Sequence, residues 1–325
     1  MSTRHLVDPE LASLLGLLPD YHGISAETLP ALRAQIEDLA KQQIESTDLT
    51  HIEMSEHIAV SDNGPPVRIV VYRPLPARDY SPMLLHVHGG GMVMGRPEMR
   101  HANLVSVARN QECVVASVHY RLAPEAPFPA AVEDCHAALK WLHDNAASLG
   151  VDPSRITIAG ESAGGGIAAG TALLARDRGG PNLVGQMLTY PMLDDRTTLA
   201  ANPHAGEFVW GESSNWFSWH ALLGDKFGKE TVSPYAAPAR APDLSGLPPA
   251  FLAIGALDLF LEENLEFARR LVRAGVPTEL HVYPGAFHAF DAAPDAAVTR
   301  DFKRDWFAAL AKIFSKLPLQ TSVER

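Results

Sequence analysis

The chain has 325 residues, 46% of them hydrophobic, which is enough to bury one large core with an added segment. Acidic residues outnumber basic ones 38 to 27, giving a net charge of -11, so a nucleic-acid partner, which requires a basic stripe to neutralise phosphates, is not expected. A neutral or weakly polar small molecule suits this balance better.

The N-terminal stretch, residues 1–10, carries no apolar h-region, and no apolar run approaches the roughly 18 residues that span a bilayer. The expectation is a cytoplasmic protein without membrane insertion. Residues 1–50 show a helical pattern over 26–44 before any strand and read as a helical cap segment. From residue 67 onward, apolar β-branched runs at 67–72, 83–87, 113–118, 155–159, 183–188, 250–254 and 278–282 alternate with helical stretches at 130–149, 163–178, 262–274 and 296–314. That rhythm predicts an α/β fold with a mostly parallel central sheet flanked by helices, with residues 51–325 forming the catalytic domain.

Cys113 and Cys135 fall in a predicted strand and a predicted helix, without metal-ligand spacing or the density of a disulfide framework, and read as reduced packing residues. Residues 193–240 interrupt the βα rhythm as an insertion between two strands. It contains Phe208, Trp210, Trp216, Phe217 and Trp219. Two readings stand: a cap whose Phe208, Trp210 and Trp216 line an acyl or aryl pocket, or rings that simply fasten the insertion to the core.

Residues 160–164, Gly-Glu-Ser-Ala-Gly, lie directly between an apolar strand and an alanine-rich helix, the context in which a G-x-S-x-G run forms a nucleophile elbow. Ser162 is then the candidate nucleophile, and the Ala163 amide at the helix start faces any oxyanion formed there. No P-loop lysine or dinucleotide-binding spacing supports a phosphate cradle instead. About seventy residues earlier, another strand runs into His88-Gly89-Gly90-Gly91. Three successive glycines let backbone pass close to a substrate with its N–H groups aimed inward, so Gly90 and Gly91 join Ala163 as expected oxyanion donors. His88 and Gly89 complete the loop motif, with the His88 imidazole bracing it. His86 and His88 share a strand face, but no carboxylate or cysteine cluster accompanies them in the sequence, so no metal site is expected.

In such an elbow the acid and then the histidine follow the serine along the chain. His288 lies in a loop just after the last strand, whereas His204 and His220 belong to the insertion and His281 to a strand. Asp258 follows strand 250–254 and a short turn, while its rivals Glu262 and Glu263 fall on the next helix, where they read as a solvated first turn. His288 is therefore the expected base, and Asp258 the acid that fixes its tautomer.

Together, residues 88–91, Tyr120-Arg-Leu-Ala-Pro-Glu125 with Pro127-Phe-Pro129, residues 160–165, Tyr190-Pro191, Asp258 and Gly285-Ala-Phe-His288 resemble the hormone-sensitive-lipase-like branch of the α/β-hydrolases, the bacterial family IV carboxylesterases. The resemblance covers residues 83–290, roughly two-thirds of the chain. It implies the α/β-hydrolase fold, hydrolysis of short- to medium-chain carboxylic esters without a cofactor, a cap built from residues 1–50 plus the insertion at about 193–240, and frequent homodimerisation. Glu161 stands where the family more often has Asp or Thr, and His119 where Asp commonly precedes the Tyr120 motif. Arg121 and Glu125 are expected to form ion pairs, with Asp134 as one partner. A ligand receptor that has lost the triad histidine, and an amidase or peptidase using the same triad, are the alternatives.

Overall fold

Among the described residues, eight strands form one sheet in the order β1-β2-β4-β3-β5-β6-β7-β8. They are β1 (Ile52–Ala59), β2 (Val67–Pro74), β3 (Ser81–Val87), β4 (Val114–His119), β5 (Val151–Glu161), β6 (Gly185–Thr189), β7 (Ala250–Gly255) and β8 (Thr278–Tyr283). The computed structural model describes residues 2–13, 15–16, 21–60, 64–199 and 202–315. Parts of the predicted segment 1–50 (1, 14, 17–20), of the insertion (200–201) and of the C-terminal stretch (316–325) lie outside the described residues.

Strands β3 to β8 are parallel to one another, whereas β1 and β2 pair antiparallel and β2 joins β4 antiparallel. The seven predicted strand runs each correspond to a strand within a few residues at the ends. β1 was not predicted: Ile52-Glu-Met-Ser-Glu-His-Ile-Ala59 is the outermost strand, half exposed, and lacks the continuous apolar run of a buried one.

The helices are α1 (Pro9–Ala12), α2 (Leu29–Ser46), α3 (His101–Gln111), α4 (Ala130–Asp144), α5 (Ala163–Asp177), α6 (Glu212–Leu223), α7 (Leu261–Arg273) and α8 (Ala297–Ser315). Pro30 in the first turn of α2 supplies a φ already suited to a helix start. Helix α5 is the central one. Its residues Ala163 to Ala175 are all buried, so it reads as apolar all round rather than amphipathic. Its glycines cost helix propensity, about 1 kcal/mol each. They are needed for close approach: a Cβ on Gly164 would lie 2.1 Å from the Val87 carbonyl oxygen.

Cys113 lies just before β4 and Cys135 within α4; both thiols are free and buried. Burial pushes both thiols well up, so neither presents a thiolate. Among the described residues no helix is long and apolar enough to cross a membrane.

Candidate active site

The parallel strands deliver their C-terminal ends to one edge of the sheet, and the predicted site residues gather there. Ser162 occupies the turn between β5 and α5 at φ 55° and ψ -126°, a conformation that non-glycine residues rarely adopt. The surrounding backbone holds it there. Its N–H donates to the Thr189 carbonyl at 3.0 Å, and its own carbonyl accepts from Gly166 and Met192 at 3.1 and 2.9 Å. Gly160 and Gly164 make the turn sterically feasible, since a Cβ on Gly160 would sit 2.3 Å from the Gly164 oxygen.

The Ser162 hydroxyl donates to His288 Nε2 at 2.9 Å, and His288 Nδ1 donates to Asp258 Oδ2 at 2.8 Å. A carboxylate can only accept in this contact, so Nδ1 carries the hydrogen and Nε2 presents its lone pair to the serine. Asp258 is fully buried, and its other oxygen accepts from the Phe260 N–H at 2.9 Å. The acid and histidine loops are tied together by Ala256 N–H to the Tyr283 carbonyl and Leu257 N–H to the Ala286 carbonyl, both 2.9 Å. Edge-on rings of Tyr190 at 4.8 Å and Phe260 at 5.2 Å hold the imidazole on two sides.

The loop after β3 approaches Ser162 from the other side. The His88 imidazole stacks on Tyr120 at 4.2 Å, its Nδ1 bonds the Gly89 carbonyl at 2.9 Å, and the Tyr120 hydroxyl donates to the His88 carbonyl at 2.8 Å. Burial lowers the His88 imidazole to about 3, so it stays neutral at working pH. Gly90 and Gly91 have φ of 121° and 59°, and a Cβ on Gly91 would collide with the Trp210 ring at 2.3 Å.

Glu161 was not foreseen as part of the site. Its Oε1 accepts from the Gly89 N–H at 3.3 Å and lies 3.6 Å from Arg100 Nε, while Oε2 bonds His86 Nε2 at 2.9 Å. His86 and Glu161, 75 apart in the chain, meet because β3 and β5 are neighbours. Among the described residues no group of three or more His, Cys, Asp or Glu side chains could hold a metal ion. Burial alone would raise the Glu161 carboxyl, but His86 and Arg100 outweigh it and hold it at about 2. Arg100 also donates to Asp291 at 2.7 Å, which accepts from the Tyr190 hydroxyl at 2.5 Å. No motif marked Arg100 or Asp291.

A cavity of about 140 Å³ opens over Ser162 and His288, lined by Gly89 to Gly91, Met94, Met99, Arg100, Tyr190, Val209, Trp210 and Tyr21. A second cavity of about 140 Å³ lies behind the Arg100–Glu161 contact, between α3 and α8, and includes none of Ser162, His288 and Asp258 among its lining residues.

The aromatic residues of the insertion part company. Trp210 is 3% exposed and lines the cavity over Ser162. Phe208 is not among that cavity's lining residues and packs on Phe287 at 5.8 Å. Trp216 is 52% exposed and lies against the His220 ring, tilted 31° with centroids 3.7 Å apart, so its predicted pocket role is corrected: on α6 it points away from the buried face formed by Asn215, Ser218, Trp219 and Leu222.

One further expectation changes, and the expected ion pairs of Arg121 and Glu125 gain their partners. Glu263 is not a solvated first-turn residue but buried, accepting from the Leu193 N–H at 2.5 Å and from Thr197, and burial pushes its carboxyl well above the usual range. Arg121 does pair with Asp134, at 2.7 Å, but Glu125 pairs with Arg33 of α2, also at 2.7 Å.

Acid should destabilise the protein in steps. Glu98, 2% exposed, would be raised by burial, but hydrogen bonds from Arg68 and Arg96 hold it at about 2. Its stabilisation is therefore complete above the unfolded value of about 4.3 and is lost as pH falls from there toward about 2. His88 acts earlier in the same direction: the unfolded chain binds its proton below about 6.5, whereas the native chain resists until about 3. Above about 4.3 the raised Glu263 carboxyl opposes His88, so the urea midpoint should fall between about pH 4.3 and about pH 3, and Glu98→Gln should flatten that limb. Equal midpoints at the two ends of that range would contradict this account.

A family model described as the alpha/beta hydrolase fold matches residues 84–292. The chain is 36% identical over 288 residues to carboxylesterase NlhH of Mycobacterium tuberculosis, covering 87% of this chain and 88% of that one. It is 34% identical over 290 residues to esterase LipI of the same organism, with the same coverage. A solved bacterial heroin esterase superposes with a TM-score of 0.91 at 39% identity, covering 97% of this chain and 100% of the other.

Proposed function

This chain belongs to the alpha/beta hydrolase fold family and is an ester-hydrolysing serine hydrolase, and we propose that Ser162, His288 and Asp258 perform that hydrolysis on short- to medium-chain acyl esters. The observation that carries this assignment is the unbroken chain of hydrogen bonds from Asp258 through His288 to Ser162, at 2.8 and 2.9 Å, facing the cavity. His288 Nε2 takes the proton of Ser162 as Oγ attacks the ester carbonyl, and returns it to the departing alcohol. Water then enters, His288 removes its proton as the water oxygen attacks the acyl carbonyl, and His288 passes that proton to Ser162 Oγ as the acyl group leaves as the carboxylic acid.

The negative charge on the carbonyl oxygen is taken up by the amides of Gly90, Gly91 and Ala163. Gly89 is not assigned there, because its N–H is engaged by Glu161. Residues 1–50 and the insertion at about 193–240 form the cap: Tyr21 and Trp210 both line the cavity, and the Tyr21 N–H donates to the Val209 carbonyl at 3.3 Å. The cavity of about 140 Å³ supports a small acyl or alcohol group rather than a long chain.

The test is a series of p-nitrophenyl esters from acetate to palmitate, with matched anilides. The reading expects turnover to peak at the short members and anilides to remain uncleaved; a maximum at palmitate, or anilide cleavage at comparable rate, would overturn it. Trp210→Ala should move the optimum toward longer chains, and an unchanged chain-length profile would remove Trp210 from the pocket wall.

A further inference from the structure

Arg33 lies on α2, far in sequence from every motif of the site, yet its guanidinium is among the most fully used donor groups in the structure. Nε donates to the Val93 carbonyl at 2.8 Å and Nη2 to the Ala123 carbonyl at 2.9 Å. Nη1 and Nη2 also reach the two oxygens of Glu125 at 2.7 and 2.8 Å. Three acceptors from two separate loops are therefore held by one planar fork, a geometry that a lysine ammonium cannot reproduce.

What those carbonyls belong to matters more than the ion pair. Val93 closes the turn that follows the glycines: the Val93 and Met94 N–H groups both donate to the Gly90 carbonyl, at 3.2 and 3.0 Å. Ala123 belongs to the Tyr120–Glu125 stretch, and its N–H donates to the Met92 carbonyl at 2.9 Å. Met92 itself is held at φ 65°, a costly conformation for a non-glycine residue. Arg33 thus grips the back of the turn whose front carries the Gly90 and Gly91 amides. The Glu125 side chain is 66% exposed, so its ion pair with Arg33 contributes little by itself.

We infer that Arg33 is a positioning residue for the oxyanion loop, coupling the N-terminal helix α2 to the placement of the Gly90 and Gly91 amides through the Val93 and Ala123 carbonyls. The inference rests on the proposed oxyanion role of those two amides. Transition-state stabilisation by fixed donors is sensitive to displacements well under 1 Å, whereas ground-state binding of the ester is not. Loss of Arg33 should therefore lower kcat and leave KM nearly alone.

The experiment compares Arg33→Met, Arg33→Lys and Glu125→Gln in the full chain with p-nitrophenyl acetate, alongside Ser162→Ala. Arg33→Met is expected to lose about 10- to 100-fold in kcat, with KM within about 3-fold. Arg33→Lys, which keeps the charge near Glu125 but not the fork, should lose nearly as much. Glu125→Gln, which leaves the carbonyl contacts in place, should stay within about 3-fold of the parent. The inference is overturned if Arg33→Met or, should that variant not fold, Arg33→Lys keeps more than half of the parental kcat. It is equally overturned if Glu125→Gln falls as far as they do. A Ser162→Ala variant that retained activity would instead sink the underlying assignment of the nucleophile, so the two failures are distinguishable.

Discussion

Ser162→Ala should lower kcat/KM for p-nitrophenyl acetate by about 10⁵- to 10⁶-fold while leaving the fold intact. The expectation follows from what the substitution removes and what it spares. It deletes the single oxygen that faces His288 Nε2 at 2.9 Å, so no acyl-enzyme can form. The backbone at position 162 has φ 55°, which alanine tolerates no worse than serine, and its hydrogen bonds to Thr189, Gly166 and Met192 are all made by backbone atoms. Thermal midpoint and circular dichroism should therefore match the parent. The residual rate, from the oxyanion donors and bound water, should remain about 10³-fold above the uncatalysed reaction. Activity within about tenfold of the parent would require another nucleophile.

Asp258→Asn should cost about 10³- to 10⁴-fold in kcat, with little change in KM. The carboxylate accepts from both His288 Nδ1 and the Phe260 N–H. An asparagine of the same shape keeps one acceptor oxygen, and the Phe260 N–H competes for it. If the amide nitrogen faces His288, it donates where a carboxylate would accept, so the imidazole turns its hydrogen toward Ser162 and can no longer take the serine proton. Because Asp258 is fully buried, no water replaces the lost charge. Raising the pH should recover part of the rate, as hydroxide assists deprotonation without a correctly held tautomer. A variant with parental kcat across the pH range would show that the imidazole is held by something else, with the Tyr190 and Phe260 rings the obvious candidates.

Much of the architecture was legible because the parallel strands β3, β4, β6 and β7 and the second half of β5 are buried on both faces and therefore written as apolar runs. The outermost β1 and helix α3 were not: β1 mixes Glu, Ser and His among its apolar residues, and α3 carries Val105 and Val107, β-branched residues that blur the helical pattern. Ser162, His288 and Asp258 could be read from their positions after strands, since the fold collects strand ends at one edge. Glu161, Arg100, Asp291 and Tyr190 could not be joined by spacing. Their network forms across β3, β5 and β6 and the loop after β8, so it exists only once strand order is known. Trp216 failed for a local reason. Three tryptophans within ten residues look like one cluster, but on and around a helix they face different directions, and only Trp210 meets the cavity.

The ion pair of Glu125 illustrates the same limit. Its motif suggested partners nearby, and Asp134 does serve Arg121, but Arg33 reaches Glu125 from 92 residues upstream. Long-range partners of exposed charges carry no periodicity, so sequence patterns give them no signature.

The central claim is that a covalent acyl group passes through Ser162. The most direct measurement is mass spectrometry of the protein after reaction with an aryl fluorophosphonate, followed by peptide mapping. One equivalent of label on the peptide carrying Ser162, with loss of esterase activity in proportion and no label on Ser162→Ala, is the predicted result. Full inactivation with the label on another residue, or full labelling of Ser162 with esterase activity unchanged, would contradict it.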